Sequence, residues 1–222
     1  MLNWANIDAV IFDMDGTLVD SMYYWRRLPE KWFQERGLTV PDDLEQLLEA
    51  ADLWQAAEFF AKNFSPQEPT EQIFSTLQQQ MDEHYARDIP LLPGVYDLLL
   101  ALKQADKKMC IATMTDRPQV QTMLRAHRLE NIFDFLLTTP EVGCGKNQPE
   151  IFLQACRRFQ LPPGRVAVFE DSRTAAKTVL RLGMPLVFLP TPGYDTEELQ
   201  ALAAEFNAGL TLLHNYAEIP LP

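Results

Sequence analysis

Ile7-Asp8-Ala9-Val10-Ile11-Phe12-Asp13-Met14-Asp15-Gly16-Thr17 is the stretch whose reading decides the fold of this chain. Its first six residues form a short, nearly continuous apolar run, the pattern of a strand buried on both faces of a parallel sheet. The run stops abruptly at Asp13, where two carboxylates, a glycine and a hydroxyl follow within five residues. A strand of this kind needs parallel neighbours, and the sequence offers them. Similar runs recur at Lys108-Met109-Cys110-Ile111-Ala112, Phe135-Leu136-Leu137, Val166-Ala167-Val168-Phe169 and Leu186-Val187-Phe188-Leu189. Between them lie segments of helical apolar spacing, from Val95 to Gln104, Val120 to His127, Glu150 to Phe159 and Thr174 to Leu182. Strands alternating with helices specify right-handed βαβ units, so the expected class is α/β, a doubly wound parallel sheet.

From about Asp20 to Pro90 the pattern changes. Trp25, Leu28, Trp32 and Phe33 fall at helical spacing, as do Trp54, Ala57, Phe59, Phe60 and Ala61, and later Ile73, Leu77 and Met81. No strand-like run interrupts them, and Pro41, Pro66 and Pro69 punctuate. The expectation is a small all-helical insert over residues 20–90, set into a core made of residues 1–19 and 91–222. The aromatic stripes read as the packing of that insert.

Apolar residues make up 47% of the 222 and charged residues 23%, ordinary values for a soluble globular protein. The net charge of -12 argues against nucleic acid or an anionic membrane surface as partner, since both select basic faces. Three cysteines, Cys110, Cys144 and Cys156, with no CxxC spacing, read as reduced thiols. The N-terminal stretch has no basic region, and charges break its apolar run, so it reads as neither signal peptide nor membrane span. A cytoplasmic location is expected. The sequence is silent on oligomeric state.

The polar residues that follow the strands carry the chemistry. Asp13 and Asp15 follow the first strand, Glu170 and Asp171 follow Val166–Phe169, Thr113 and Thr115 follow another, and Lys146 lies beyond Phe135–Leu137. Carboxyl ends of strands in open α/β sheets converge on one crevice, so these groups are expected to meet. Clustered carboxylates are mutually repulsive unless a cation binds them, and hard oxygen donors point to Mg²⁺. Metal, lysine and hydroxyls together make an anion site inside an otherwise acidic protein.

At this point the residues resemble a family. Asp13-Met14-Asp15-Gly16-Thr17-Leu18, followed by Val19-Asp20-Ser21, is similar to the signature of the haloacid dehalogenase-like (HAD) hydrolases, in the branch with a helical cap after the first motif. Cys110-Ile111-Ala112-Thr113, Gly145-Lys146-Asn147-Gln148-Pro149-Glu150-Ile151-Phe152 and Val168-Phe169-Glu170-Asp171-Ser172 resemble the second, third and fourth motifs, in order. The resemblance implies a Rossmann-like core and a phosphatase acting on a small phosphorylated metabolite. It implies Asp13 as nucleophile and Asp15 as general acid and then base. Thr113 and Lys146 would hold the phosphoryl oxygens. Mg²⁺ would sit on Asp13, the Asp15 carbonyl, Glu170 and Asp171. Trp25 is a candidate for substrate binding in the cap, with Ser21, Tyr24, Trp54, Arg117 and Arg173 as further contenders. The chain departs from the family pattern at Asn147, Ala175 and Thr178-Val179.

Two rival functions share these motifs. A mutase resembling β-phosphoglucomutase carries a histidine where Trp25 stands, and a cap arginine, whereas Leu38 to Phe60 contains neither Arg nor Lys. A non-catalytic binding protein of the same fold has no reason to keep Asp13, Asp15, Thr113, Lys146 and Asp171 together. Gly143-Cys144-Gly145-Lys146 lacks the upstream glycine and the following hydroxyl of a phosphate-binding P-loop. His84, His127 and His214 show no metal-ligand spacing.

Overall fold

The computed structural model describes residues 2–48, 51–190 and 194–222. Six strands form one sheet: β1 (Ala9–Phe12), β2 (Lys108–Thr113), β3 (Phe135–Thr138), β4 (Val166–Glu170), β5 (Leu186–Phe188) and β6 (Leu210–Leu212). Their order is β3-β2-β1-β4-β5-β6, with every adjacent pair parallel. The chain winds outward from β1 in one direction and then, after β3, crosses back to β4 on its other side. All four β1 residues are buried, as its unbroken apolar run requires.

The chain divides into two compact units, with the boundaries at Asp20/Ser21 and Ile89/Pro90. Ser21–Ile89 is all-helical among its described residues, with α1 (Met22–Glu35), α2 (Leu44–Leu48), α3 (Leu53–Asn63) and α4 (Thr70–Arg87). Its core is aromatic. Trp32 stacks on Phe60 at 4.6 Å between ring centres, and Phe33 meets Phe64 edge-on at 4.8 Å. Asp52 and Gln55 form a reciprocal capping box that starts α3. Arg36 lies over the Trp32 ring and makes a fork-shaped pair with Glu68 at 2.9 and 2.6 Å. Asp20 and Pro90 belong with the sheet unit because the entering and leaving chains pair with each other. Val19 bridges Leu91 antiparallel, Asp20 N donates to Pro90 O, and Leu92 N donates to Leu18 O.

The sheet unit's helices are α5 (Val95–Gln104), α6 (Arg117–Ala126), α7 (Thr139–Val142), α8 (Glu150–Phe159), α9 (Arg173–Arg181) and α10 (Glu197–Glu205). In α8 the buried residues Ile151, Phe152, Ala155, Cys156 and Phe159 fall on one stripe. They pack with Ala9, Ile11, Cys110, Ala112 and Val168 of the sheet and with α9 in one apolar core. The sequence pattern anticipates five of the six strands. It misses β6, whose three residues are too few to show a period, and α10, which buries only Leu199 and Ala203. Thr113 and Glu170, expected just after their strands, are the last residues within them. Among the described residues, no helix is long and apolar enough to cross a membrane.

Gly94 precedes α5 with φ +86°, and a Cβ there would lie 2.9 Å from the Cβ of Tyr216. Both the left-handed backbone and the close approach exclude a side chain. Gly94→Ala is expected to cost about 2 kcal/mol. By thermal denaturation this is a loss of roughly 4–8 °C in Tm for a chain of this size.

Candidate active site

The winding reverses between β1 and β4, and an open α/β sheet leaves its crevice at such a switch point. Phe12 is in register with Phe169 on one side and Ile111 on the other, so the residues that follow emerge side by side. Asp13 N donates to Phe169 O at 3.0 Å, which extends the ladder one residue and fixes Asp13 at the strand's exit. The chain then turns back. Leu18 N and Val19 N both donate to Met14 O, at 2.8 and 3.1 Å, and Gly16 N donates to Val19 O at 2.9 Å. Gly16 has φ +77°, the left-handed conformation that this turn needs. Met14 is fully buried and anchors the loop between the two aspartates.

Asp13, Lys146 and Glu170 are all buried, with relative exposures of 7%, 5% and 1%. Lys146 Nζ donates to Asp13 Oδ1 and reaches Glu170 Oε2 at 3.2 Å and Oε1 at 3.4 Å. Asp13, Glu170 and Asp171 each place a carboxylate oxygen within 4.8 Å of the other two, a group able to hold a metal ion. Thr17 Oγ1 donates to Asp171 Oδ1 at 3.4 Å. Asp15 is held separately: Thr115 Oγ1 donates to its Oδ2 at 2.6 Å, and Thr115 N donates to Thr113 Oγ1 at 3.1 Å.

Burial sets the electrostatics. Removal from water raises the Asp13 carboxyl above its ordinary range; the Lys146 charge opposes the rise and Asp15 adds to it. Glu170 is pushed well up, first by burial and then by the Asp13 charge. Burial, followed by Asp13, pushes Asp171 up to about 7. Burial disfavours the Lys146 ammonium, but the charges of Asp13 and Glu170 outweigh that cost and hold it above its ordinary value. The site keeps one fixed positive charge among carboxylates that bind protons readily.

Of the residues singled out in the sequence, Asp13, Lys146, Glu170 and Asp171 form one contact cluster, with Asp15, Thr115 and Thr113 linked beside it. Trp25 lies on α1 in the helical unit, where its Nε1 donates to Tyr85 Oη at 3.0 Å. Sequence reasoning gave no role to Thr17 or Tyr216. Thr17 sits inside the first motif, so its place was legible. Tyr216 is 199 residues from Thr17, whose carbonyl its hydroxyl reaches at 2.6 Å, and nothing local marks it.

The fold and this cluster define an α/β enzyme whose site combines carboxylates and a lysine at the carboxyl edge of the sheet. Residues 7–183 match the family model of the haloacid dehalogenase-like hydrolases, and the chain belongs to that family. It is 30% identical to the phosphorylated carbohydrates phosphatase of Thermotoga maritima over 82% of this chain and 84% of that one. Among solved structures, it is similar to CbbY from Rhodobacter sphaeroides in complex with phosphate, with a TM-score of 0.79 and 25% identity over 96% of both chains. A mutant of that protein in complex with xylulose-(1,5)bisphosphate matches with a TM-score of 0.78 and 26% identity over 96% of each chain.

The raised carboxyls make a stability prediction for chelator-treated protein. A carboxyl with a higher pKa in the folded chain gives a native state that binds more protons, so its contribution to stability falls as pH rises. For Asp171 the window runs from its ordinary 3.8 to about 7. Asp171→Asn is therefore expected to gain stability over the parent across that window, by at least about 1.4 kcal/mol at its upper end, the equivalent of one pKa unit. Urea titrations at several pH values read the difference. A constant gap would contradict it.

Proposed function

We propose that this chain is a magnesium-dependent phosphatase that hydrolyses a small phosphorylated metabolite through a phosphoaspartate on Asp13. The observation that carries this is the cluster of Asp13, Glu170 and Asp171 at the ends of two adjacent central strands, with Lys146 reaching it from the loop beyond β3. The names of the relatives support it, one a phosphatase of phosphorylated carbohydrates and one bound to phosphate and to a sugar bisphosphate. An acidic, cytoplasmic enzyme of free metabolites also suits the net charge of -12.

The donor set fits Mg²⁺, because it consists of hard carboxylate oxygens close enough to share one ion. Asp13, Glu170, Asp171 and the backbone carbonyl of Asp15 would hold it. When bound, it supplies positive charge to the phosphoryl oxygens. The chain's own residues do the rest. An Asp13 oxygen attacks phosphorus; a new O–P bond forms as the bond to the leaving oxygen breaks. Asp15 gives that oxygen its proton, and in the second step takes one from the water, whose oxygen bonds to phosphorus as the Asp13 O–P bond breaks and phosphate leaves. Thr115, which donates to Asp15, orients it. Thr113 accepts the Thr115 amide through its oxygen and keeps its hydroxyl proton for the phosphoryl group, beside Lys146. Positioning and charge do most of the work in phosphoryl transfer, which this inventory supplies. Substrate selection is assigned to the helical unit as a cap, Trp25 included.

The direct test is turnover of a generic aryl phosphate. Hydrolysis is expected with Mg²⁺, is lost in excess chelator, and vanishes in Asp13→Asn. Lys146→Ala should lower kcat by roughly 10²–10³-fold, the scale for one preorganised donor. Full activity in chelator sinks the metal assignment; a wild-type rate in Asp13→Asn sinks the covalent route.

The role of Asp15 has its own signature. A nitrophenolate leaves without a proton, whereas an alkyl alkoxide needs one. Asp15→Asn should slow phosphoenzyme formation from alkyl phosphates on the order of 10²-fold more than from p-nitrophenyl phosphate. Breakdown should slow equally whichever substrate loaded the enzyme. Single-turnover kinetics separate the two steps, and equal first-step losses would remove Asp15 from the acid role.

A further inference from the structure

Tyr216 is buried in the sheet unit, beyond the residues that the family model matches. Asn215 fixes it locally, since its side chain accepts from Ala217 N at 2.9 Å and starts a short 3₁₀ turn over Tyr216–Glu218. The ring stacks parallel to Phe169 of β4, at 6.1 Å between centres, and its Cβ fills the space above Gly94. Phe169 itself packs on Phe12 of β1, so the ring is linked through Phe169 to the strand that precedes Asp13. The hydroxyl donates to Thr17 O at 2.6 Å. Among the described residues, no backbone amide donates to that carbonyl. Burial and the nearby charges of Asp171, Asp13 and Glu170 hold the phenol well above its ordinary pKa, so it stays a donor across the working pH range.

The bond has a mechanical consequence. Thr17 O and Leu18 N belong to one planar peptide unit. Tyr216 holds the carbonyl side of that plane, and Met14 O holds the amide side at 2.8 Å. Two bonds on opposite edges fix the plane's rotation, and with it the turn that aims Asp15. The Thr17 side chain, one atom away on the backbone, donates to Asp171. We infer that Tyr216 is a positioning residue for the reaction, clamping the Asp13–Val19 turn so that Asp15 and Asp171 keep their places. This rests on the phosphatase function proposed above. It adds a residue distant in sequence, which acts through the Thr17 carbonyl.

Tyr216→Phe tests it, because the variant keeps the ring against Phe169 and Gly94 and loses only the hydroxyl. Amide hydrogen exchange is expected to quicken at least about tenfold at Leu18 and Val19, with Ile11 of β1 unchanged. The kcat for an alkyl phosphate should fall at least about tenfold, as small misplacements of catalytic groups do. For p-nitrophenyl phosphate the loss should stay within about threefold, with KM within about twofold for both, echoing the leaving-group signature of Asp15. Unchanged exchange at Leu18 and Val19 overturns the clamp whether or not turnover is found. Faster exchange throughout β1 overturns it too, since the hydroxyl would then serve general stability. Local loosening with equal kcat for both substrates removes the positioning role. Absence of metal-dependent turnover in the parent protein is a separate failure, that of the phosphatase function, and leaves the exchange result to decide the clamp.

Discussion

Lys146 donates to Asp13 and Glu170 inside a region almost without solvent, and the rest of the site is arranged around that cation. Two buried carboxylates this close repel strongly, and each has lost the water that would stabilise its charge. The lysine offsets both penalties. It lies on a loop after β3, two strands away from Asp13, so its position depends on the whole parallel sheet being formed. A buried ion cluster of this kind is poor evidence for stability, since desolvation often outweighs the attraction. A costly buried cluster with raised Asp13, Glu170 and Asp171 carboxyls is the pattern expected of a functional site, and it supports the role proposed for these residues.

Topology explains why such unlike residues meet. With β1 central and the winding reversed at β4, the peptides leaving β1 and β4 have no crossover helix between them at that edge. Asp13 and Glu170 therefore emerge next to each other although 157 positions separate them in the chain numbering. Thr113 arrives from β2 in the same way. The first turn needs Gly16 to reverse tightly, and Met14 sinks into the core to hold it. The family's motifs are thus strand ends seen in one dimension.

What the sequence made legible follows that logic. Apolar runs revealed β1 to β5, most plainly in β1, where burial on both faces leaves no polar position. The acidic residues at their ends were visible for the same reason, as sudden breaks in those runs. Two kinds of feature stayed hidden. The three-residue β6 and the modest apolar stripe of α10 fall below the length at which a period can be recognised. Tyr216 and the Thr17 carbonyl meet only through tertiary packing, and a tyrosine between Asn215 and Ala217 carries no local signal. Trp25 was picked out by its place in a family pattern, and in the structure it binds Tyr85 within its own helical unit.

The net charge of -12 is at odds with phosphate chemistry only if charge is summed over the molecule. Salt screens exposed charges beyond about 8–10 Å at physiological ionic strength, so distant surface acids contribute little at the site. Inside it, screening is weak, and the local count decides. Several surface cations are committed to carboxylates, as in Arg173 and Lys177 with Glu198, Arg165 with Asp8, and Arg117 with Glu141. Lys146 differs because its partners are the very groups that a bound cation would engage. In the function proposed above, Asp13, Glu170 and Asp171 would hold the cation, whose charge would offset their repulsion, and Lys146 would serve the phosphoryl group. On that proposal, a dianionic phosphate would be favoured there in company with a divalent cation, because the buried carboxylates alone would repel it.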